Sequence, residues 1–238
     1  MVSTVIKNWD NNNWLSSRDY IYSFNKFLTK QVELNKNSKI LDIGCGRGKI
    51  LGSLSQKLSL KRKPIGIDIE KHKDRDKRII FKKIDALRFL KRNKKTFDLI
   101  LIKQTIHLFK VKDIKNTLKL SKSLLNPNGK ILIFTLNPIN NEIPTFSAMK
   151  KKLKKALKRD KKIIQSISFL FKGKLIKGFS YKVKISRERY MEMVNSKYIS
   201  VLLGMSQKTI FRGLDEIKSK FKKQIFFKDK LICLVLKK

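Results

Sequence analysis

Short apolar runs alternate with amphipathic stretches along the first 140 residues of the chain. The runs are rich in Ile and Leu and too short for buried helices, which is typical of strands buried on both faces of a parallel sheet. Glycine, proline and lysine-rich stretches separate them. Five strands are predicted on this basis, in the segments SKILDIGC (38–45), KPIGIDIE (63–70), RIIFKKIDA (78–86), FDLILIK (97–103) and GKILIFTLN (129–137).

Two of the intervals between these strands have helical periodicity. The segment KILGSLSQKLSL (49–60) follows the first strand, and VKDIKNTLKLSKSLL (111–125) precedes the fifth, where the turn NPNG (126–129) closes it. Strands that alternate with helices imply right-handed crossovers and a mainly parallel sheet. The predicted fold class is therefore α/β.

The second half of the chain adds a long basic helix. In residues 142–171 the side chains of Phe146, Met149, Leu153 and Leu157 recur at helical spacing, and lysines occupy the other positions. Such a helix either docks its apolar stripe on the domain or lies on a membrane or along phosphates. We expect the docked arrangement. A strand and more helix follow in residues 178–206, and the chain closes with a helix (209–221) and a strand (230–238).

Composition fits an ordinary globular protein of 238 residues and 27.9 kDa, with 41% hydrophobic residues. No apolar run reaches the length that spans a bilayer, and the N-terminus lacks the charged-then-apolar order of a secretory signal. Only Cys45 and Cys233 are present, so a disulfide framework is not expected. These features predict a cytoplasmic protein.

The chain is strongly basic, with 58 Lys and Arg against 18 Asp and Glu, a formal net charge of +40. Basic surfaces attract nucleic acid or anionic membranes. However, only 11 of the 58 are arginines, the residue that pairs bidentately with phosphates and bases, and the lysines are spread along nearly the whole chain. Charge alone therefore leaves a nucleic-acid function and simple compositional bias both open.

A glycine-rich turn with two well-placed acids carries the chemistry. Gly44, Gly46 and Gly48 end the first strand, where ligands bind in open α/β sheets. Asp68 ends the second strand about twenty residues later, a position from which a carboxylate accepts hydrogen bonds from ribose hydroxyls. Asp42 lies two residues before the first glycine and would repel a diphosphate. The pattern predicts a nucleoside cofactor that carries a cationic group.

These segments resemble the motifs of the class I S-adenosylmethionine-dependent methyltransferases. The resemblance covers about residues 37–137. It implies a Rossmann-like, doubly wound, mainly parallel seven-stranded sheet with an antiparallel last strand and a helical lid or cap. It also implies S-adenosylmethionine as cofactor and S-adenosylhomocysteine as product. The matching segments are LDIGCGRG (41–48), GIDIE (66–70), IDA (84–86), FDLILIKQTIHLF (97–109) and LSKSLLNPNGKILIF (120–134).

The resemblance assigns cofactor roles to individual residues. At the methionine end, Asp42 and the backbone of Gly44, Cys45 and Gly46 would hold the amino group. Lys103 would line the same end or remain a solvated lysine. Arg47 would reach the methionine carboxylate or lie on the surface.

At the nucleoside end, the resemblance assigns Asp68 to the ribose and Ile69 to packing on adenine. Glu70 lies on the same strand and is the alternative to Asp68. Asp85 would accept a hydrogen bond from the adenine amino group, beside the backbone of Ala86.

Residues outside these motifs are candidates for the acceptor side. His107 lies where this family forms the floor of the acceptor pocket, and it serves either as a base or orienting group or as a packed histidine. His72 is expected on a solvated loop. Trp14, Arg18 and Tyr20, together with Trp9, precede the sheet and belong either to a lid or to an ordinary helix on the domain edge.

The resemblance also suggests a division of the chain. We expect an N-terminal lid segment (1–36), an S-adenosylmethionine-binding core (37–140), a helical cap with a strand on the acceptor side (141–205), and a final helix and strand that complete the core sheet (206–238).

The expected activity is in-line transfer of a methyl group to a small-molecule acceptor, without a metal. The segment IKQT follows the fourth strand where enzymes that methylate exocyclic amines of bases carry Asn-Pro-Pro-aromatic, and no RNA-binding module is appended. RNA methylation on the basic surface is the first alternative, and a membrane lipid is a further acceptor class. A non-catalytic cofactor- or RNA-binding protein is the alternative from another functional class.

Overall fold

The computed structural model describes residues 13–238, apart from the side chain of Lys177. A seven-stranded sheet forms its centre, with the strand order β3-β2-β1-β4-β5-β7-β6. The strands are β1 (Ile40–Ile43), β2 (Ile65–Asp68), β3 (Ile80–Lys83), β4 (Phe97–Lys103), β5 (Leu125–Leu136), β6 (Lys174–Ser186) and β7 (Gln224–Lys237).

Helices flank the sheet and connect its strands. A short 3-10 helix, Trp14–Ser16, precedes the first α-helix, and another, Ile106–Leu108, follows β4. The α-helices are α1 (Arg18–Leu28), α2 (Lys49–Lys57), α3 (Ala86–Arg92), α4 (Val111–Ser123), α5 (Ser147–Phe171), α6 (Arg187–Asn195), α7 (Ser200–Leu203) and α8 (Gln207–Lys220).

The first five strands are parallel, and their order reverses between β1 and β4. Along β4, Leu99 and Leu101 point into one hydrophobic core, and Ile100 and Ile102 point into a second core on the opposite face. Burial on both faces explains the continuous apolar runs in the sequence. The reversal of strand order leaves a crevice at the carboxyl ends of β1 and β4, which is where ligands bind in such sheets.

The last two strands are antiparallel to their neighbours, since β7 runs against both β5 and β6. The predicted fold class is therefore confirmed, including the antiparallel last strand. The turn predicted at 126–129 lies inside β5 rather than before it. Leu125 already pairs with Phe97, the register breaks between Phe97 and Leu99, and Asn128 adopts a left-handed φ of 64°.

The long helix α5 docks its apolar stripe on the domain, as expected. Met149 near its start packs in the first core, and Ile164 and Ile167 near its end pack in the second. The helix therefore crosses from one face of the sheet to the other. The apolar stripe from Met149 to Ile167 is buried and the lysines lie in solvent, whereas Phe169 and Leu170 at the end of the helix are exposed. Within residues 13–238, no helix combines the length and apolar character needed to cross a membrane.

The segment before the sheet is partly described. Residues 1–12, including Trp9, lie outside the described part. Helix α1 packs against the sheet: Tyr20 meets Phe179 edge to face at 5.4 Å, and Phe24 meets Phe134 at 4.9 Å. Tyr20 and Phe24 thus fill the first core, whereas Tyr22 on the same helix is exposed. The proposed division of the chain into lid, core and cap stays a prediction.

A close approach of β6 to β7 depends on one glycine. A methyl group on Gly178 would lie 1.9 Å from the carbonyl oxygen of Leu231, where β6 is irregular between Ile176 and Phe179. We expect Gly178→Ala to lower the free energy of unfolding by about 2 kcal/mol or more, because two backbones must separate. Urea unfolding measures this.

Gly204→Ala is the matched control, since its added methyl group would meet only Lys152 Nζ, at 3.7 Å. It should change the free energy of unfolding by less than about 0.5 kcal/mol. Equal stability of the two variants would contradict the assigned β6–β7 contact.

Candidate active site

A cavity of about 510 Å³ opens at the carboxyl ends of β1, β2 and β4 and continues beneath α5. This volume lies within the range of small-ligand pockets. Several residues that the sequence singled out line it: Trp14, Gly44, Asp68, Ile69, Asp85, Ala86 and His107. Other candidates are not among its lining residues: Arg18, Tyr20, Asp42, Cys45, Gly46 and Lys103.

The glycine-rich turn bends through three left-handed residues, with φ of 75° at Gly44, 54° at Gly46 and 71° at Gly48. A methyl group on Gly44 would lie 2.2 Å from Thr105 Oγ1. The absent side chain therefore makes room for a neighbouring loop as well as permitting the turn. The amides of Gly44 and Cys45 donate to the carbonyl of Ile67, which ties the turn to the end of β2.

Asp68 braces this turn. Its Oδ2 accepts the Gly46 amide at 2.9 Å, and its Oδ1 accepts the Glu70 amide at 3.0 Å. Although burial raises the pKa of Asp68, hydrogen bonding to His72 and to these two amides outweighs it and holds the pKa below its ordinary value. Asp68 therefore stays ionised at neutral pH. Oδ2, which among the described residues accepts only the Gly46 amide, keeps a second lone pair with which it could accept from a ribose hydroxyl.

His72 is buried, and the expectation of a solvated loop was wrong. Its Nε2 lies 3.9 Å from Asp68 Oδ1, its side chain is 4% exposed, and it lines the cavity. The charged neighbours in EKHKDRDK suggested solvent. The bend after β2 instead turns His72 back toward Asp68, four residues earlier.

Asp42 is a buried carboxylate below the glycine-rich turn. Within the described chain its Oδ1 has no hydrogen-bond partner. Burial, with a smaller contribution from the charge of Asp68, raises the pKa of Asp42 to about 7 against the opposing charge of Lys103. Such a group gains most from a bound cation, which would favour its ionised form.

The nucleoside end of the cavity combines a polar and an apolar side chain. Asp85 caps α3, where its Oδ1 accepts the Arg88 amide at 3.0 Å. Ile69, 54% exposed, presents an apolar surface to the cavity. An exposed isoleucine beside a carboxylate suits a flat heterocycle that carries an amino group. The capping role of Asp85 is an addition that the sequence motif did not indicate.

Two basic candidates occupy unexpected environments. Lys103 Nζ lies over the rings of Tyr20 and Phe24, at 5.2 and 5.3 Å, and donates to Gln104 Oε1 at 3.0 Å. It is thus not a freely solvated lysine. Arg47 is 7% exposed, so the surface alternative for it was wrong. Arg18 lies on the exposed surface at the start of α1.

His107 lies on the turn after β4 and faces the cavity beneath α5. Its Nδ1 is buried without a hydrogen-bond partner in the described chain. Burial lowers the pKa of His107, the nearby Asp160 opposes this, and Arg159 adds to it. The imidazole is therefore neutral at pH 7 and able to accept a proton.

Three residues that sequence reasoning did not single out also line the cavity: Asp160, Tyr198 and Asp229. Asp160 lies on the otherwise basic α5 and is 7% exposed. The helical periodicity of α5 places Asp160 among the buried apolar positions, and this placement could have identified it from the sequence. Tyr198 lies in the segment SRERYMEMVNSKYISVL (186–202), which resembles the family only loosely, and Asp229 belongs to no segment that resembles the family.

Comparison with known proteins decides the family. A family model described as a methyltransferase domain matches residues 34–197, more than half of the chain. The chain belongs to the class I S-adenosylmethionine-dependent methyltransferases. The expectations of family, enzyme class and cofactor are therefore confirmed. No curated protein matches the sequence significantly.

Solved structures of other methyltransferases share the fold at low identity. One from an antibiotic biosynthesis pathway of Anabaena variabilis is 13% identical, with a TM-score of 0.63 over 91% of this chain and 97% of that one. The plantazolicin methyltransferase BpumL, solved with S-adenosylhomocysteine, is 17% identical, with a TM-score of 0.51 over 97% and 87%. A Thiobacillus denitrificans methyltransferase, also with S-adenosylhomocysteine, is 15% identical, with a TM-score of 0.51 over 89% and 88%.

The residues of this methyltransferase fit the cofactor. The Oδ1 of Asp42 accepts no hydrogen bond within the described chain, so it can accept one from a ligand. Because Asp42 is buried, a cationic donor would stabilise its ionised form most. Asp68 and Asp85 line the cavity together with the exposed Ile69. The individual roles of these residues stay predictions.

The raised pKa of Asp42 predicts a pH-dependent affinity of the methyltransferase. Because an ammonium group binds the ionised carboxylate, S-adenosylmethionine affinity should fall by about tenfold as the pH drops from about 7.5 to about 5.5. In Asp42→Asn the affinity should be weak and independent of pH over this window. Calorimetric titration measures both, and a flat profile for the native protein would contradict the assignment.

The same carboxyl group predicts a linked stability effect. A folded-state pKa of about 7, above the ordinary 3.8, means that its contribution to stability is full below pH 3.8 and is lost as the pH rises through about 7. We therefore expect the free energy of unfolding of Asp42→Asn, compared with that of the native protein, to be more favourable at about pH 8 than at about pH 5. Urea unfolding of the cofactor-free proteins tests the sign.

Two substitutions separate the roles of Asp85. Asparagine caps helices as well as aspartate does, so Asp85→Asn should keep the free energy of unfolding but weaken S-adenosylmethionine binding by about tenfold. Asp85→Ala should weaken binding and also cost about 1 kcal/mol of stability. If Asp85→Asn bound S-adenosylmethionine as tightly as the native protein does, Asp85 would have only its capping role.

Proposed function

We propose that the protein transfers the methyl group of S-adenosylmethionine to a small-molecule acceptor. The continuity of the cavity carries this proposal: one space runs from Asp68 and Asp85 to Trp14 and His107. Leu153 and Leu157 of α5 cover its middle, between the two ends of the helix that anchor in opposite cores. A roofed chamber beside the cofactor end suits an acceptor that enters whole.

The protein would act mainly by binding and alignment. When bound, S-adenosylmethionine supplies an electrophilic methyl group on a positively charged sulfur. Asp42 and the turn around Gly44 would hold its methionine amino group, and Asp68 its ribose. The apolar wall beneath α5 excludes water from the space in front of the methyl group, which favours displacement by the acceptor over hydrolysis.

His107 is the candidate for proton transfer. It faces the chamber, and its lowered pKa keeps it neutral at physiological pH. A neutral imidazole either takes a proton from an acceptor or orients it through a hydrogen bond. An acceptor that loses no proton before methyl transfer would need only the second role.

RNA as acceptor is the alternative that one observation favours. Eight lysines of α5 are exposed on the outer side of the roof: Lys150, Lys151, Lys152, Lys154, Lys155, Lys158, Lys161 and Lys162. Phosphates could follow this surface. We rank it second because the chamber lies beneath the helix, on the side opposite these lysines.

The proposal includes a cytoplasmic location. Cys45 and Cys233 are both free thiols, and burial raises the pKa of each. Unpaired cysteines are consistent with a reducing compartment.

Calorimetry with S-adenosylmethionine tests whether the protein binds the proposed cofactor, and the absence of binding would overturn the enzymatic function.

The substitution His107→Ala tests the proposed role of His107 in methyl transfer. It should slow methyl transfer at least about tenfold while leaving cofactor affinity nearly unchanged. Unaltered turnover would assign His107 to packing.

Gel-shift titrations test the RNA alternative. Tight, selective RNA binding that persists at physiological salt would place RNA above a small molecule as acceptor. Weak association that disappears steeply with added salt would attribute the +40 charge to non-specific attraction.

A further inference from the structure

The residues that line the cavity are acidic on balance, although the chain as a whole is strongly basic. The whole chain has 58 Lys and Arg against 18 Asp and Glu. The cavity lining instead contains more acids than bases. Its acids are Asp68, Asp85, Asp113, Asp160 and Asp229, and its bases other than histidine are Lys110 and Arg159. Compositional bias toward lysine would produce the opposite result, so the acidic lining reflects what the cavity holds.

Only part of this acidity serves the cofactor. Asp68 and Asp85 lie at the nucleoside end. Arg159 forms a salt bridge with Asp160 at 2.8 Å, which offsets one of the remaining acids. Asp229 lies in the chamber itself and is 1% exposed. It is the acid of the acceptor side that most needs an explanation, because burying a carboxylate is costly unless it is paired.

The protein groups around Asp229 compensate its charge incompletely. Burial raises the pKa of Asp229 even though its Oδ2 accepts from Trp14 Nε1 at a long 3.4 Å and hydrogen bonding to the Tyr20 hydroxyl also lowers the pKa. Lys103 is the cation that acts on Asp229, and it acts on the buried Asp42 as well. Among the described residues, two buried carboxylates thus share one lysine.

Aromatic rings stand beside this carboxylate. Trp14 and Tyr198 both line the cavity, with their ring centroids 5.6 Å apart at an interplanar angle of 68°. Tyr198 is close enough for the charge of Asp229 to raise the pKa of its phenol. A carboxylate with aromatic rings beside it is an environment that attracts an ammonium or amine, by ion pairing with the carboxylate and by cation–π contact where a ring face is reached.

Resting on the proposed function, we infer that the methyl acceptor is an amine with an apolar body, and that Asp229 binds its nitrogen. The apolar body would lie against Leu136, Ile143 and Leu157, which line the same chamber. Anionic acceptors are disfavoured because Asp229 repels them.

The transfer step balances without a further reactant. An amine that binds as an ammonium first gives one proton to His107 or to water, which frees its lone pair and leaves Asp229 ionised. The lone pair then forms the nitrogen–methyl bond as the carbon–sulfur bond breaks, and the bonding electrons remain on sulfur. The product is the protonated N-methylated amine, which pairs with the Asp229 carboxylate until it leaves.

A matched set of probes tests the acceptor class on the native protein. Phenethylamine, phenethyl alcohol and hydrocinnamate share a phenyl ring and a two-carbon chain but end in an amine, a hydroxyl and a carboxylate. With protein saturated by S-adenosylhomocysteine, calorimetry should detect the amine at least about tenfold more tightly than either other probe. With labelled S-adenosylmethionine, only the amine should acquire the methyl group.

Three results would overturn the inference: equal or tighter binding of the carboxylate, transfer to the alcohol alone, or no binding of the amine by protein that binds S-adenosylhomocysteine. Protein that binds neither S-adenosylmethionine nor S-adenosylhomocysteine would instead refute the proposed function itself.

Substitution of Asp229 tests the residue. Asp229→Asn keeps shape and hydrogen-bonding capacity but removes the charge. It should raise KM for phenethylamine at least about tenfold and leave the affinity for S-adenosylmethionine unchanged. Asp215→Asn is the matched control, because Asp215 is exposed on α8 outside the cavity and should leave KM unaltered.

An unchanged KM in Asp229→Asn would overturn the role of this residue. Cofactor binding by the variant serves as the check on its fold. If the variant does not fold, the comparison of the three probes on the native protein still decides the acceptor class.

Discussion

Burial of carboxylates at the carboxyl edge of the sheet is the constraint on which the site depends. Asp42 at the end of β1 and Asp229 on β7 are both removed from water, and burial raises the pKa of each. Among the described residues, Lys103 is the lysine that acts on both, and its Nζ lies over the rings of Tyr20 and Phe24. The site therefore carries more acid than its own basic groups offset, and this imbalance favours cationic ligands.

Helix α5 covers the cavity that Asp229 and other acids line. The two ends of α5 are anchored in opposite cores, so the helix covers the crevice where the strand order of the sheet reverses. The middle of the helix contributes apolar side chains to the cavity lining. Removal from water strengthens electrostatic interactions inside the chamber. The same helix presents its lysines outward, so the basic surface and the acidic interior are separated by the thickness of one helix.

The glycine-rich turn shows how one sequence feature serves several purposes. Its left-handed residues reverse the chain between β1 and α2, and the missing side chain of Gly44 admits Thr105 from the loop after β4. Asp68 then fixes the turn through the Gly46 amide. A residue assigned to cofactor binding is thus also part of the framework that shapes the binding site.

The sequence by itself determined the α/β class and the positions of the first five strands, because these follow from local periodicity. It also singled out Asp42, Asp68 and Asp85 from their places at strand ends, and their roles stay predictions. Tertiary structure decided the rest. His72 has charged neighbours in the sequence but is buried against Asp68, and Asp229 comes to the chamber only because β7 runs antiparallel beside β5. Burial and partnership depend on elements distant along the chain, so no local pattern encodes them.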